Sequence, residues 1–447
     1  MTVCLSLVLF AVRCSGAPRA KNIILMISDG CGYNQVLAAD YYQYGKAGEQ
    51  VYEKFPVHYA VSTYAADGKG YNPQRAWRDF DYFKENPTHS AEAASAMSTG
   101  IKTFYSYMGI DSNKIRLTSM IEFSERLGKS TGVVTSVPFY HATPAGFVVH
   151  IDDRYNYPEI VRQMLEESPV DVIMGCGYPL YDHDGKSKTA SDPKVSMLAE
   201  LIQTIRGGQF GNDADGDGQN DPWTFIEEKQ AFKDLGEGET PKRVLGVAQV
   251  QETLQEKRSG DDKADAYVVP FVENVPALAD IAKGALNVLD NDQDGFFLMI
   301  EGGAIDWCGH DNEKGRLIEE QIDFNRAVNA VVSWVETNSS WDETLLIVTA
   351  DHETGYLWGE GSGVIQNADS AGIDAVWKPL RNNGAGNMPG MEWYQTDHTN
   401  SLIPLYAKGA GSEAFQTYAI GHDKVRGLYV NNTDITKVMH QAFGIQP

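Results

Sequence analysis

The 447-residue sequence predicts an α/β layer fold, with a large, mostly parallel central sheet, helices on both faces, and surface insertions. Three observations predict it. Short apolar runs of strand length end in acidic or turn residues, stretches of helical period lie between those runs, and carboxylates recur directly after them.

Residues 22–28, 132–136, 170–174, 296–300, 345–349 and 402–406 read as strands. Their nearly unbroken apolar character suits strands covered on both faces. Helical period is expected at 90–98, 119–127, 276–289 and 316–335. In the last, Leu317, Phe324, Ala327, Val328, Val331 and Val335 recur on one face, which should be buried. Two stretches break the alternation and read as surface insertions on a single domain spanning 18–447. Residues 181–266 are polar and weakly periodic, and 359–394 are rich in Gly, Asn and turn formers.

Lys and Arg total 37 against 61 Asp and Glu, a formal net charge of -24, so a non-specific grip on nucleic acid or anionic lipid is excluded. A phosphate-bearing ligand would need a local positive site, which divalent cations held among Asp residues supply. The apolar run 2–12, followed by Arg13 and the small residues Ser15, Gly16 and Ala17, reads as a signal peptide over 1–17. No basic residue precedes the run and Pro18 follows it, so a buried N-terminal segment stays open. No later stretch has the length of a membrane span, and the expectation is a secreted or periplasmic protein. Cys4 and Cys14 would leave with the signal. Cys31, Cys176 and Cys308 then form an odd set without a CxxC spacing and read as packing residues.

Ligands of parallel sheets collect beyond the carboxyl ends of the strands. Asp29, Glu301, and Asp351 with His352 each follow a different predicted strand, so carboxylates converging on one rim make a metal site the expectation. The run from Glu301 through Asp306 to His310 offers oxygen and nitrogen donors of the kind zinc and magnesium accept. His398 precedes the last predicted strand. Gly30 and Gly32 allow a tight turn after Asp29. Ser90 stands at the mouth of an alanine-rich helix, either as a simple cap or as a nucleophile whose phosphorylated form the helix N-terminus would stabilise. Taken singly, each of these segments also reads as a capped turn or a structural histidine.

Together and in this order, the set resembles the alkaline phosphatase family. The resemblance is carried by Pro87, Thr88, His89, Ser90, Ala91 and Glu92; by His141, Ala142, Thr143, Pro144 and Ala145; by the Glu301, Asp306, His310 run; by Asp351 and His352; and by His398. It implies that Asp306, His310 and His398 hold a first zinc. Asp351, His352 and Asp29 would hold a second with the Ser90 oxygen. Asp29, Thr143 and Glu301 would form a third site, usually magnesium. Arg154 would clamp the substrate phosphate, with His141 and Trp307 beside it. The implied reaction is hydrolysis of small phosphate monoesters through a phosphoserine on Ser90, an in-line displacement between metals ~4 Å apart. Relatives are often homodimers. His89 stands where the family commonly has Asp, so Arg154 is expected to be held less tightly. His141 and Trp307 are positions that vary among relatives, which leaves the third metal's identity open.

Asp213, Asp215, Asp217 and Asp221 have calcium-loop spacing, with Gly218 at the sixth position but Thr224 where the closing glutamate would stand. Structural calcium and a solvated acidic turn are the two readings. Two rival functions stay open: a phosphodiesterase or sulfatase on the same scaffold, and a phosphate-binding protein without a nucleophile.

Overall fold

The computed structural model describes residues 20–189, 193–366, 368–419 and 421–445. The signal-peptide segment 1–17, with Cys4 and Cys14, lies outside the described residues. Eleven strands form the central sheet. In chain order they are β1 (Asn22–Ser28), β2 (Val57–Ser62), β3 (Ser130–Pro138), β4 (Val172–Cys176), β5 (Thr224–Ile226), β6 (Val244–Val247), β7 (Phe296–Gly302), β8 (Thr344–Thr349), β9 (Ile403–Gly409), β10 (Gly421–Asp423) and β11 (Gly427–Asn431). Their order across the sheet is β10-β11-β2-β9-β8-β1-β7-β3-β4-β6-β5. β9 and β10 run against the others, and the remaining neighbours pair parallel.

The centre of the sheet follows from its sequence. Every residue of β1, β7 and β8 is buried, which only a strand covered on both faces tolerates, and each leucine or isoleucine so buried contributes roughly 1.5–3 kcal/mol. Ile24 of β1 is flanked by Leu346 of β8 and Leu298 of β7. The long helix Lys314–Asn338 packs against Leu278–Leu289 and Tyr33–Tyr44, and Ser90–Thr99 packs against Asn432–Ala442. Cys31, Cys176 and Cys308 are free and buried.

The polar stretch 181–266 supplies β5 and β6 and so extends one edge of the sheet. Its buried Arg243 explains how: the guanidinium donates to the carbonyls of Val170 and Ser168 and to Asn212, and lies 3.9 Å from the Trp223 ring centroid. A charged side chain satisfied on every edge packs as core. Within 359–394, Val376 and Trp377 join Trp77, Phe80, Tyr82, Phe83 and Tyr356 in a separate aromatic cluster.

Candidate functional site

β8, β1, β7 and β3 are consecutive in the sheet and parallel, so their carboxyl ends open on one edge. Asp29 leaves β1 through a turn in which Gly30 has φ +73°, and a Cβ there would stand 2.5 Å from the Cα of Asp306. The Gly30 N–H donates to Asp351 Oδ1 at 3.1 Å, tying the turn after β1 to the turn after β8. Glu301 lies in β7 one residue from its end. The helix Ala304–Asp311 that follows carries Asp306 and His310 four residues apart, hence on one face. His398 arrives by a short antiparallel pairing in which it is opposite Thr354, two residues beyond His352.

Two donor sets result. The ligand atoms of Asp306, His310 and His398 lie within 4.8 Å of one another, as do those of Asp29, Asp351 and His352. The Ser90 hydroxyl is 3.3 Å from His352 Nε2, at the start of the helix Ser90–Thr99. Around the third predicted position, Thr143 Oγ1 donates to Asp29 Oδ2 at 3.2 Å, and Glu301 accepts from the Thr135 hydroxyl.

The chemistry of these donors fits cations. His310 Nδ1 faces the Thr396 carbonyl at 2.7 Å and His398 Nδ1 faces the Thr88 carbonyl at 2.9 Å, so each Nδ1 donates and each neutral ring keeps its lone pair on Nε2. Those two Nε2 atoms are 2.9 Å apart. Such an approach needs either a proton shared between the rings, as the Asp306 carboxylate favours by raising His310 to about 9 against the downward push of burial, or a cation against both. Asp29 Oδ1, Glu301 Oε1 and Asp351 Oδ2 are buried without a hydrogen-bond partner. Among the described residues, the ion-pair partners of Asp29, Asp306 and Asp351 are imidazoles alone. Buried carboxylates without a lysine or arginine partner cost on the order of several kcal/mol each, which divalent ions offset.

Titration follows the same logic. Burial, with the charges of Asp351, Asp306 and Glu301, holds Asp29 well above the ordinary carboxylate range. Burial likewise raises Glu301 to about 7 and, with the charge of Asp306, Asp351 to about 6. Against the upward push of burial, the His398 and His310 imidazoles hold Asp306 well below its usual value.

Arg154 is buried, near enough to Glu92 that its charge favours that carboxylate. Its backbone N–H donates to Ser106 Oγ at 3.0 Å, its Nη2 lies 3.5 Å from His141 Nε2, and among the described residues it forms no ion pair. Burial and the Arg154 charge push His141 down to about 3, so this ring is neutral at working pH. His141 also meets Trp307 edge-on, ring centroids 5.6 Å apart.

Three contributors escaped sequence reasoning. Thr135 orients Glu301, and the Thr354 hydroxyl donates to Asp306. Glu92 accepts from the backbone of both His89, at 2.7 Å, and Ser106, at 3.3 Å. A glutamate three residues after a helix cap is a recognisable signal, and Glu92 was open to that reading. The two threonines carry no such signal. In the acidic loop, Asp213, Asp215 and Asp221 approach within 4.8 Å, without Asp217. Lys242 Nζ lies 2.7 Å from both Asp215 and Asp221 and supplies positive charge there.

The family model described as alkaline phosphatase matches residues 20–445. Alkaline phosphatase 4 of Bacillus subtilis is 25% identical over 471 residues, covering 94% of this chain and 88% of that protein. Alkaline phosphatase of Escherichia coli is 29% identical over 356 residues, covering 74% and 70% respectively. Among solved structures, alkaline phosphatase from the Antarctic bacterium TAB5 superposes with a TM-score of 0.63 at 24% identity, covering 95% of this chain and 98% of that one. The Thermus thermophilus alkaline phosphatase gives 0.63 at 20% identity, covering 99% and 96%. These two structures share the fold.

Proposed function

The chain belongs to the alkaline phosphatase family, and from that premise we propose that it hydrolyses phosphate monoesters to alcohol and inorganic phosphate, with Ser90 as the nucleophile. The observation that carries this reading is the 3.3 Å approach of the Ser90 hydroxyl to His352, beside buried aspartates whose ion-pair partners among the described residues are imidazoles alone. Asp306, His310 and His398 would hold one zinc, Asp29, Asp351 and His352 a second, and Asp29, Thr143 and Glu301 a magnesium. When bound, such ions supply Lewis-acid charge that stabilises the attacking and leaving oxygens.

The chain's own residues do the rest. Arg154 binds two phosphate oxygens and turns the phosphorus toward Ser90. Ser90 Oγ attacks, the P–O bond to the alcohol breaks, and the alcohol leaves from the opposite side. The resulting phosphoserine sits at the N-terminus of the helix Ser90–Thr99, whose backbone dipole favours the added negative charge. Water then attacks the phosphorus from the vacated side and Ser90 is released. Buried Glu92, by fixing the backbone of His89 and Ser106, keeps the nucleophile and the Arg154 segment in register. Among the described residues no helix is long and apolar enough to cross a membrane.

The test is a rate comparison on matched aryl phosphate monoester and diester substrates for wild type and Ser90→Ala. The expected outcome is a monoester preference and a loss of at least about 1,000-fold in the variant. Undiminished turnover by Ser90→Ala, or a diester preference, would overturn the reading.

A further inference from the structure

Solvent exposure rises in steps outward from the nucleophile. Ser90 is 2% exposed and Arg154 9%, yet Tyr105 and Tyr155, each next to a residue that builds the site, are 48% and 55% exposed. The two large rings are left open to water side by side. Their hydroxyls lie 3.0 Å apart, so one donates to the other and the rings are held as a pair.

The pair is anchored to the reacting centre from both sides. The Tyr105 ring meets the ring of His89, the residue before the nucleophile, edge-on with centroids 4.9 Å apart. The Arg154 guanidinium carbon is 5.6 Å from the Tyr155 ring centroid. Between the two tyrosine segments, Ser106 takes φ +71°, a left-handed conformation that costs a serine about 1–2 kcal/mol. It is held there by its N–H bond to Glu92 and by its hydroxyl, which accepts from the Arg154 N–H. The loop geometry that presents Tyr105 is therefore locked to the groups that bind phosphate.

In an in-line displacement at Ser90, the leaving alcohol departs opposite the buried serine, toward solvent. Beside His89 and Arg154 the chain leaves two tyrosine faces open to that solvent. We propose that Tyr105 and Tyr155 form a leaving-group subsite for planar aromatic groups, so that monoesters of ring-bearing alcohols are preferred over those of short aliphatic alcohols. A ring gains stacking or edge contact on either tyrosine, and a butyl chain gains little. This inference rests on the assignment of Ser90 and Arg154 above.

The test uses the full metal-loaded enzyme and two monoesters whose leaving alkoxides are of similar basicity, 2-phenylethyl phosphate and butyl phosphate. In Tyr105→Ala and Tyr155→Ala, kcat/KM for the phenylethyl ester should fall about 10-fold while that for the butyl ester changes less than about twofold. Tyr105→Phe and Tyr155→Phe, which keep the rings, should restore most of the loss. The inhibition constant for inorganic phosphate, which has no leaving group, should stay unchanged in all four variants. Equal losses on both esters, or phosphate inhibition weakening in step, would show that the tyrosines only brace Arg154 and would overturn the subsite. Unchanged rates in both alanine variants would do the same. Neither result touches the hydrolase reading, which fails on its own terms if wild type turns over neither ester or Ser90→Ala turns over both.

Discussion

The molecule carries acidic clusters at opposite edges of one sheet, and they behave differently. At the carboxyl edge, Asp29, Glu301, Asp306 and Asp351 are buried, and among the described residues no lysine or arginine pairs with them. At the amino edge, Glu125, Asp171, Asp213, Asp215 and Asp292 line a cleft of about 780 Å³ together with Lys129 and Lys242. There the Asp215 side chain is 45% exposed, and Lys242 bridges it to Asp221. The contiguous, regularly spaced Asp213 to Asp221 loop looks more like a metal motif than the scattered Asp29, Asp306 and Asp351 do. What separates the clusters is desolvation without an ammonium partner, because only then does a carboxylate set depend on a divalent ion for its charge balance.

That contrast can be broken most decisively by removing metal. Chelation, or Asp306→Asn, should lower kcat/KM by at least about 100-fold, and Asp215→Asn should leave it within about twofold. Chelation should also lower the melting temperature, since an ion bound only by the folded chain adds roughly 3–4 kcal/mol at 100 to 1,000 times its dissociation constant. Equal sensitivity of the two aspartates in assays paired with metal analysis would erase the distinction.

Gly30→Ala probes the carboxyl edge through its backbone. A left-handed φ and a Cβ 2.5 Å from the Asp306 Cα predict a loss of at least about 2 kcal/mol in urea unfolding, with reduced zinc content. Retention of wild-type stability would mean the turn after β1 has slack that this geometry lacks.

The amino edge has its own signature in pH. Burial, with the charge of Asp171, raises Glu125 from 4.5 to about 9, while Arg243 opposes the shift and Asp292 adds to it. The folded chain therefore binds this proton more tightly than the unfolded chain. Stability attributable to Glu125 is full below about pH 4.5 and declines as pH rises toward 9. Glu125→Gln should flatten that decline, which unfolding midpoints at pH 5, 7 and 9 would reveal. An unchanged slope would place the titration elsewhere. The smallest effect is expected from Lys242→Met, whose exposed pairs with Asp215 and Asp221 are worth no more than about 1 kcal/mol of unfolding free energy. A much larger loss would sharpen the comparison the other way, by making that cluster a structural one.

Much of the rim at the carboxyl ends of the strands was legible along the chain. Continuous apolar runs mark β1, β7 and β8, because strands buried on both faces cannot alternate, and Asp29, Glu301, Asp351 and His352 stand at or just past their ends. β2, with exposed His58, was less legible. So were β5 and β6, embedded in a polar stretch whose buried Arg243 and Trp223 help weld it into the core. The threonines that orient Glu301 and Asp306 were invisible, since a hydroxyl's partner depends on which side chain the fold brings to it.

By itself, the sequence determined that the central runs β1, β7 and β8 become strands and which donors ride at their ends, because burial on both faces and turn chemistry are local properties of consecutive residues. Only the tertiary structure decided that β8, β1 and β7 lie side by side and that His398 lands 2.9 Å from His310. Parallel neighbours are joined by long crossovers, and the choice of neighbour is made by packing across the whole sheet, about which no single stretch of chain carries information.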